Sequence, residues 1–405
     1  MRYRAAWVVS VAAPPLRDAW VAVEDGRIVA VGRDADPDTP EIDLGQVALM
    51  PGLVNAHTHL ELSYLRDQVP PATAFVSWIR GVMAARRQRP DPGAEEILDA
   101  VRLGIDEAVR CGTALVGDIS NTLVTRQPLL DSPLLGVLFY ELIRFNTSDP
   151  AGVVAQACRE LDALGSSDKI RASLAAHAPY SVAPLVFRAI RDAVDSRPFL
   201  PCSVHLAESA DESTFIRTGE GEWRAFLEQV GSWDPQWVPP GGTPVEYLDD
   251  AGFLGGGTLA VHGVQMTVDD LARLKRRGVT LVTCPRSNRY TGAGTPPIAA
   301  FFDAGVPLAV GTDSLASTPD LNIFSELAEM RRLAPGVPPS RLIESATLGG
   351  ARALGFDAEF GTLEAGKRAA VLAVTVPAGV TDVEQYLVSG IAPAQLAWVA
   401  GSPAA

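Results

Sequence analysis

Two histidines one residue apart close a short apolar run, Leu53-Val54-Asn55-Ala56-His57-Thr58-His59. In an extended strand, residues i and i+2 share a face, so His57 and His59 can address one target. Neutral imidazole is the commonest metal ligand, and a strand end delivering two of them fixes their angle before any ion arrives. Taken alone, the pair is more simply a surface or core feature. The other histidines change that balance. The chain has only five, and His177, His205 and His262 each follow an apolar strand-like run (170–176, 202–204 and 258–261) and precede loop or helix-start residues. A chain that places every histidine at a strand's C-terminal edge is building one site.

Two acids belong with them. Glu208 lies three residues after His205, where strand should give way to helix. A carboxylate there can take a proton from an activated water and deliver it to a substrate; the alternative is a helix N-terminal acid favoured by the dipole. Asp313, in Gly311-Thr312-Asp313-Ser314, follows a buried-looking run and is either a ligand or a capping acid. His57, His59, His205 and Asp313 together suit Zn²⁺ or Fe²⁺ with a position open for water, whose pKa such an ion lowers toward 7. His262 can hydrogen-bond the attacking hydroxide and His177 can meet the substrate; each is alternatively a satisfied core histidine.

The elements that must position these groups are legible as a pattern. Eight strand-like runs, roughly 47–55, 114–118, 134–140, 170–176, 202–204, 258–261, 280–284 and 307–310, alternate with amphipathic helices such as 95–110 and 268–277. Strand–helix alternation predicts parallel β-structure with right-handed crossovers, and eight units predict an α/β fold of the closed (β/α)8 TIM-barrel type, whose strand C-termini converge at one mouth. An open doubly wound sheet is the runner-up, weakened by the absence of G-x-G-x-x-G at the first helix. The expected organisation is a β unit over 1–48, a metal-dependent barrel over 49–358 and a second β unit over 359–405, the two ends completing one small β-sandwich. Asp25-Gly26 marks a hairpin in the first unit. Two excursions, 63–88 with Phe75 and Trp78 and 222–257 with Trp223, Trp233 and Trp237, are expected to shape a pocket or to cover the barrel.

Composition bounds the partners. The chain has 405 residues, 47% apolar and 20% charged, with a net charge of −14 that argues against nucleic acid or an anionic membrane. No run approaches the ~18 apolar residues of a membrane span. Four dispersed cysteines without a C-x-x-C pair are read as reduced and structural, which suits a cytoplasmic enzyme. There is no phosphate-binding G-x-x-x-x-G-K-[ST] and no G-x-S-x-G elbow.

Read in order, Pro51-Gly52-Leu53-Val54-Asn55-Ala56-His57-Thr58-His59, His177-Ala178-Pro179-Tyr180, His205-Leu206-Ala207-Glu208, Val261-His262, Cys284-Pro285-Arg286-Ser287-Asn288 and Gly311-Thr312-Asp313-Ser314 resemble the amidohydrolase superfamily, in its aminohydrolase branch of cytosine, guanine and S-adenosylhomocysteine deaminases. The resemblance spans nearly the whole chain. It implies one divalent metal on His57, His59, His205 and Asp313, zinc first, with Fe²⁺ or Mn²⁺ able to use the same ligands. It also implies catalytic roles for Glu208, His262 and Asp313. Binuclear members carry a carboxylated lysine at the end of strand four; here that place is His177, and Lys169 lies at the strand's other end.

The stretch from His57 to Ser63, with Phe75 and Trp78-Ile79-Arg80, is similar to the aminodeoxyfutalosine deaminases of menaquinone biosynthesis. That similarity implies a small nucleoside substrate bearing adenine and a carboxyphenyl ketone, with attack at C6, Glu208 protonating ring N1 and Asp313 passing a proton to departing ammonia. Arg144, Arg286 and Arg289 are candidates for the carboxylate, or are surface arginines; His177, Ser287 and Ser314 are the other expected substrate contacts. Deamination of S-adenosylhomocysteine, methylthioadenosine or guanine, or triazine hydrolysis, is the alternative, and an inactive scaffold barrel the reading from another class. A homo-oligomer is compatible with all of these.

Overall fold

The computed structural model describes residues 1–34, 40–197 and 200–400. The chain opens with β1 (Arg2–Val8), β2 (Leu16–Glu24), β3 (Arg27–Gly32), β4 (Glu41–Asp43) and β5 (Val47–Pro51). Asp25 and Gly26, at φ 48° and 71°, make the β2–β3 turn that the dipeptide predicts. Eight further strands follow: β6 (Leu53–Thr58), β7 (Thr113–Ser120), β8 (Leu135–Leu142), β9 (Ile170–Ala176), β10 (Cys202–Leu206), β11 (Thr258–His262), β12 (Thr280–Thr283) and β13 (Leu308–Val310). They pair in parallel and in sequence order. β6, β7, β10 and β11 are buried at every position, as strands covered on both faces must be. This is the (β/α)8 barrel.

The last strands, β14 (Val371–Thr375) and β15 (Leu396–Ala400), return to the first five. β14 pairs antiparallel with β5, so one seven-stranded sheet gathers both ends of the chain in the order β15-β14-β5-β1-β2-β3, with β4 beside β1. It has its own apolar core, including Ala5, Val21, Ile28, Leu363 and Val371.

The run expected as one strand over 47–55 is two. It breaks at Gly52, where a Cβ would sit 2.8 Å from both Ala114 Cβ and a ring carbon of Trp398. Residues before the break pair in the terminal sheet, and the first barrel strand begins at Leu53.

Helices on the barrel's outside carry ordinary end signals. In Val268–Arg277, Thr267 and Asp270 form a capping box, Asp269 and Asp270 sit in the first turn, three basic residues fill the last, and Gly278 closes it at φ 69°. No helix among the described residues is long and apolar enough to cross a membrane.

β6 and β13 close the barrel through the residues that carry the site. Thr312 N donates to Asn55 Oδ1 at 3.1 Å, Asn55 Nδ2 donates to Thr312 Oγ1 at 2.8 Å, and Asp313 N donates to the His57 carbonyl at 3.0 Å. The approach is close enough that a Cβ on Gly311 would lie 2.6 Å from the His57 carbonyl oxygen. Gly311→Ala is therefore expected to cost about 1–3 kcal/mol through forced backbone movement. Urea denaturation checks this; a midpoint equal to wild type would show that the seam has room.

Candidate active site

All five histidines meet at the C-terminal mouth of the barrel. His57 is the penultimate residue of β6 and His59 lies just beyond it; His177 follows β9, His205 lies in β10 and His262 ends β11. Around His57, ring centroids of His59, His205 and His262 stand at 4.9, 5.0 and 5.7 Å. His59 Nε2 is 3.3 Å from His205 Nε2. Asp313 Oδ1 is 3.4 Å from His59 Nε2 and 3.8 Å from His57 Nε2.

These separations are what ligands about 2.0–2.2 Å from one ion keep from each other in a near-tetrahedral set. Two further observations fit a cation. Both ring nitrogens of His57 are buried without a hydrogen-bond partner among the described residues, an arrangement that costs about 1–3 kcal/mol per atom when nothing fills it. Burial, and then the neighbouring imidazoles, hold His57 well below its ordinary pKa; burial also brings His59 down to about 3 and His205 to about 4, so all three present neutral rings. His57, His59 and Asp313 lie close enough together to share one ion, as do His57, His205 and His262, so the mouth offers imidazole and carboxylate donors to a borderline divalent ion.

The protons of the surrounding groups are arranged by fixed partners. His205 Nδ1 donates to the His177 carbonyl at 2.9 Å, which leaves Nε2 facing the other donors. Asp313 Oδ2 accepts from Ser287 Oγ at 2.5 Å and from Ser317 Oγ at 3.2 Å, leaving Oδ1 toward the histidines. Asn288 Nδ2 donates to His262 Nδ1 at 2.9 Å, so His262 carries its proton on Nε2, 3.5 Å from Glu208 Oε1.

Glu208 is buried, and burial first, then Asp313 and Glu212, raise its pKa well above the ordinary carboxylate value. It does not cap the following helix. Ser209 does so, and Glu212 accepts from the backbone N–H groups of Ala207 and Glu208 at 2.9 and 2.8 Å. Ala207, His262 and Asp313 all have positive φ, at 52°, 80° and 62°. Such backbone is costly for residues with a Cβ, and here it gathers at the three strand ends that aim the acids and His262.

The mouth opens into a cavity of about 890 Å³. The two excursions build its apolar wall. Phe75 and Trp78 come from the helix Phe75–Arg87, Trp223 and Phe226 from Glu222–Gln229, and Trp223 stacks on Tyr180 at 3.6 Å between centroids. Trp233 and Trp237 instead pack behind the wall against Phe145 and Phe215.

Of the expected substrate contacts, His177, Ser314 and Arg144 line the cavity, and among the described residues the Arg144 guanidinium bonds only the Ile143 carbonyl, at 2.8 Å. Ser287, Arg286 and Arg289 require correction. Ser287 is fully buried and spends its hydroxyl on Asp313. Arg286 is held by Glu326 at 2.6 Å and Asp320 at 2.9 Å, and Arg289 points to the surface against Glu329 at 2.7 Å. None of the three lines the cavity.

Sequence reasoning missed Arg86, Asn121 and Glu141, which do line it. Glu141 carried a readable signal, an acid at the end of an apolar strand, in the same place as the histidines. Arg86 carried none: it faces the site because buried Glu61 accepts from its Nη2 at 3.0 Å and Asn121 from its Nη1 at 3.0 Å.

A family model described as the amidohydrolase family matches residues 48–392. The aminodeoxyfutalosine deaminase of Deinococcus radiodurans is 34% identical over 332 residues, 79% of this chain and 76% of that protein. The 5-methylthioadenosine/S-adenosylhomocysteine deaminase of Nitratidesulfovibrio vulgaris is 30% identical over 383 residues, 90% of this chain and 80% of that protein. Among solved structures, an adenosine deaminase from Xanthomonas campestris with bound zinc superposes with a TM-score of 0.83 at 29% identity, over 99% of this chain and 91% of that one.

Proposed function

Because the chain belongs to the amidohydrolase family and is a hydrolase of C–N bonds, we propose that it deaminates an adenine-bearing nucleoside with one divalent metal, zinc, held by His57, His59, His205 and Asp313. The observation that carries this reading is the convergence of that donor set with Glu208 and His262 at the mouth of a cavity large enough for a nucleoside. A divalent ion in the site would supply Lewis acidity that brings water ionisation to neutral pH.

The chain's own groups do the rest. Glu208, kept protonatable by burial, carries a proton to ring N1 as C6 is attacked. His262 Nε2–H, fixed by Asn288, supports the oxygen nucleophile. Asp313, steadied by Ser287 and Ser317, receives a proton and delivers it to the departing amine. The aromatic wall of Phe75, Trp78 and Trp223 excludes water from the cavity and contacts the apolar parts of the ligand.

The substrate we propose is aminodeoxyfutalosine. The relative of that name is the more identical of the two reported, and Arg144, without an acidic partner among the described residues, offers a cation to a substrate carboxylate. Methylthioadenosine or S-adenosylhomocysteine is the second reading, favoured by the longer match to the second relative. Parallel kcat/KM measurements on these three compounds and adenosine test it. Preference for aminodeoxyfutalosine that Arg144→Ala reduces through KM is the expected result; preference for methylthioadenosine or S-adenosylhomocysteine would transfer the assignment to them.

A further inference from the structure

We propose that Glu141 is a positioning residue that holds the His205 ring in the orientation and tautomer that bind metal, an inference resting on the metal site proposed above. Glu141 is the penultimate residue of β8 and is 6% exposed. One carboxylate oxygen is clamped: Asn121 Nδ2 donates to Oε2 at 2.7 Å, while Asn121 Oδ1 accepts from Arg86. The other oxygen, Oε1, is buried without a hydrogen-bond partner among the described residues and lies 3.4 Å from His205 Nδ1.

That nitrogen already sits 2.9 Å from the His177 carbonyl, which can only accept, so Nδ1 carries the ring proton. Glu141 Oε1 is therefore a second acceptor beside the same proton. The consequence appears across the ring, where Nε2 keeps its lone pair toward His59, His57 and Asp313. A carboxylate behind a ligating imidazole makes the ligand more basic and prevents the ring from flipping. Nothing comparable stands behind His57, whose Nδ1 has no partner among the described residues. Nor is Glu141 spent as the counter-ion of Arg86, which pairs with Glu61 at 3.0 Å.

Glu141→Gln in the full-length protein tests the role. Zinc affinity is read by chelator competition, melting of the metal-free protein controls for packing, and kcat and KM are measured on the zinc-loaded form. The expected result is a zinc affinity about 10–100-fold weaker, with metal-free melting and KM unchanged. Asn121→Ala, which unclamps the same carboxylate without altering it, is expected to weaken zinc in the same direction by less, and it decides the matter if Glu141→Gln does not fold. Wild-type zinc affinity in both variants would overturn the proposal, as would a raised KM at unchanged affinity, which would make Glu141 a substrate contact. A wild-type protein that binds no zinc would remove the metal site itself, and this inference with it.

Discussion

Glu208→Gln is expected to retain its metal and to lose about 10²–10⁴-fold in kcat, the range that general acid–base groups contribute. The substitution keeps the size and one acceptor of a side chain that is 3% exposed, so the packing around it survives. What it removes is the proton. Glu208 is the acid that faces His262 Nε2, and the carboxylate of adjacent Glu212 is occupied by the backbone N–H groups of Ala207 and Glu208. Metal content by absorption spectroscopy and steady-state kinetics give the two readings. Near-normal kcat with metal bound would take Glu208 out of the proton path.

The second large effect is expected at His59. His59→Ala should weaken metal binding by more than about 100-fold, beyond the range typical for loss of an outer partner, and abolish turnover with it. His59 is the better test than His57, because its side chain is 13% exposed and lies past the end of β6, whereas His57 is fully buried against the barrel seam. Loss of metal at a native circular dichroism spectrum is the predicted outcome. Full occupancy in the variant would undo the ligand assignment, since His59 Nε2 stands 3.3 to 3.4 Å from two of the other proposed donors.

The barrel was readable because eight buried parallel strands must be near-continuous apolar runs, a pattern that composition alone cannot hide. The place of each histidine was readable for the same reason: a polar residue closing such a run lies at the strand's C-terminal edge. The break at Gly52 was not, because the apolar run from 47 to 55 is unbroken and only the close packing of Ala114 and Trp398 shows why the chain must turn. The arginines failed differently. Arg286 and Arg289 stand near the site in sequence, but their acids, Glu326 and Glu329, lie forty residues on in the helix Ile323–Leu333. Glu61 likewise fixes Arg86 through contacts with Ser120 and Thr122 that no local pattern announces. Partners of this kind are set by tertiary contact, so the residues that bear a ligand's charge were less legible than those that would hold its metal.

The most direct measurement is ammonia release from aminodeoxyfutalosine or methylthioadenosine by metal-stripped protein as zinc is returned stepwise. Activity that is absent at the start and rises to a plateau at one zinc per chain is the predicted result. Deamination that persists in the stripped protein, or that continues to rise to two zinc ions per chain, would contradict a single metal centre built from His57, His59, His205 and Asp313.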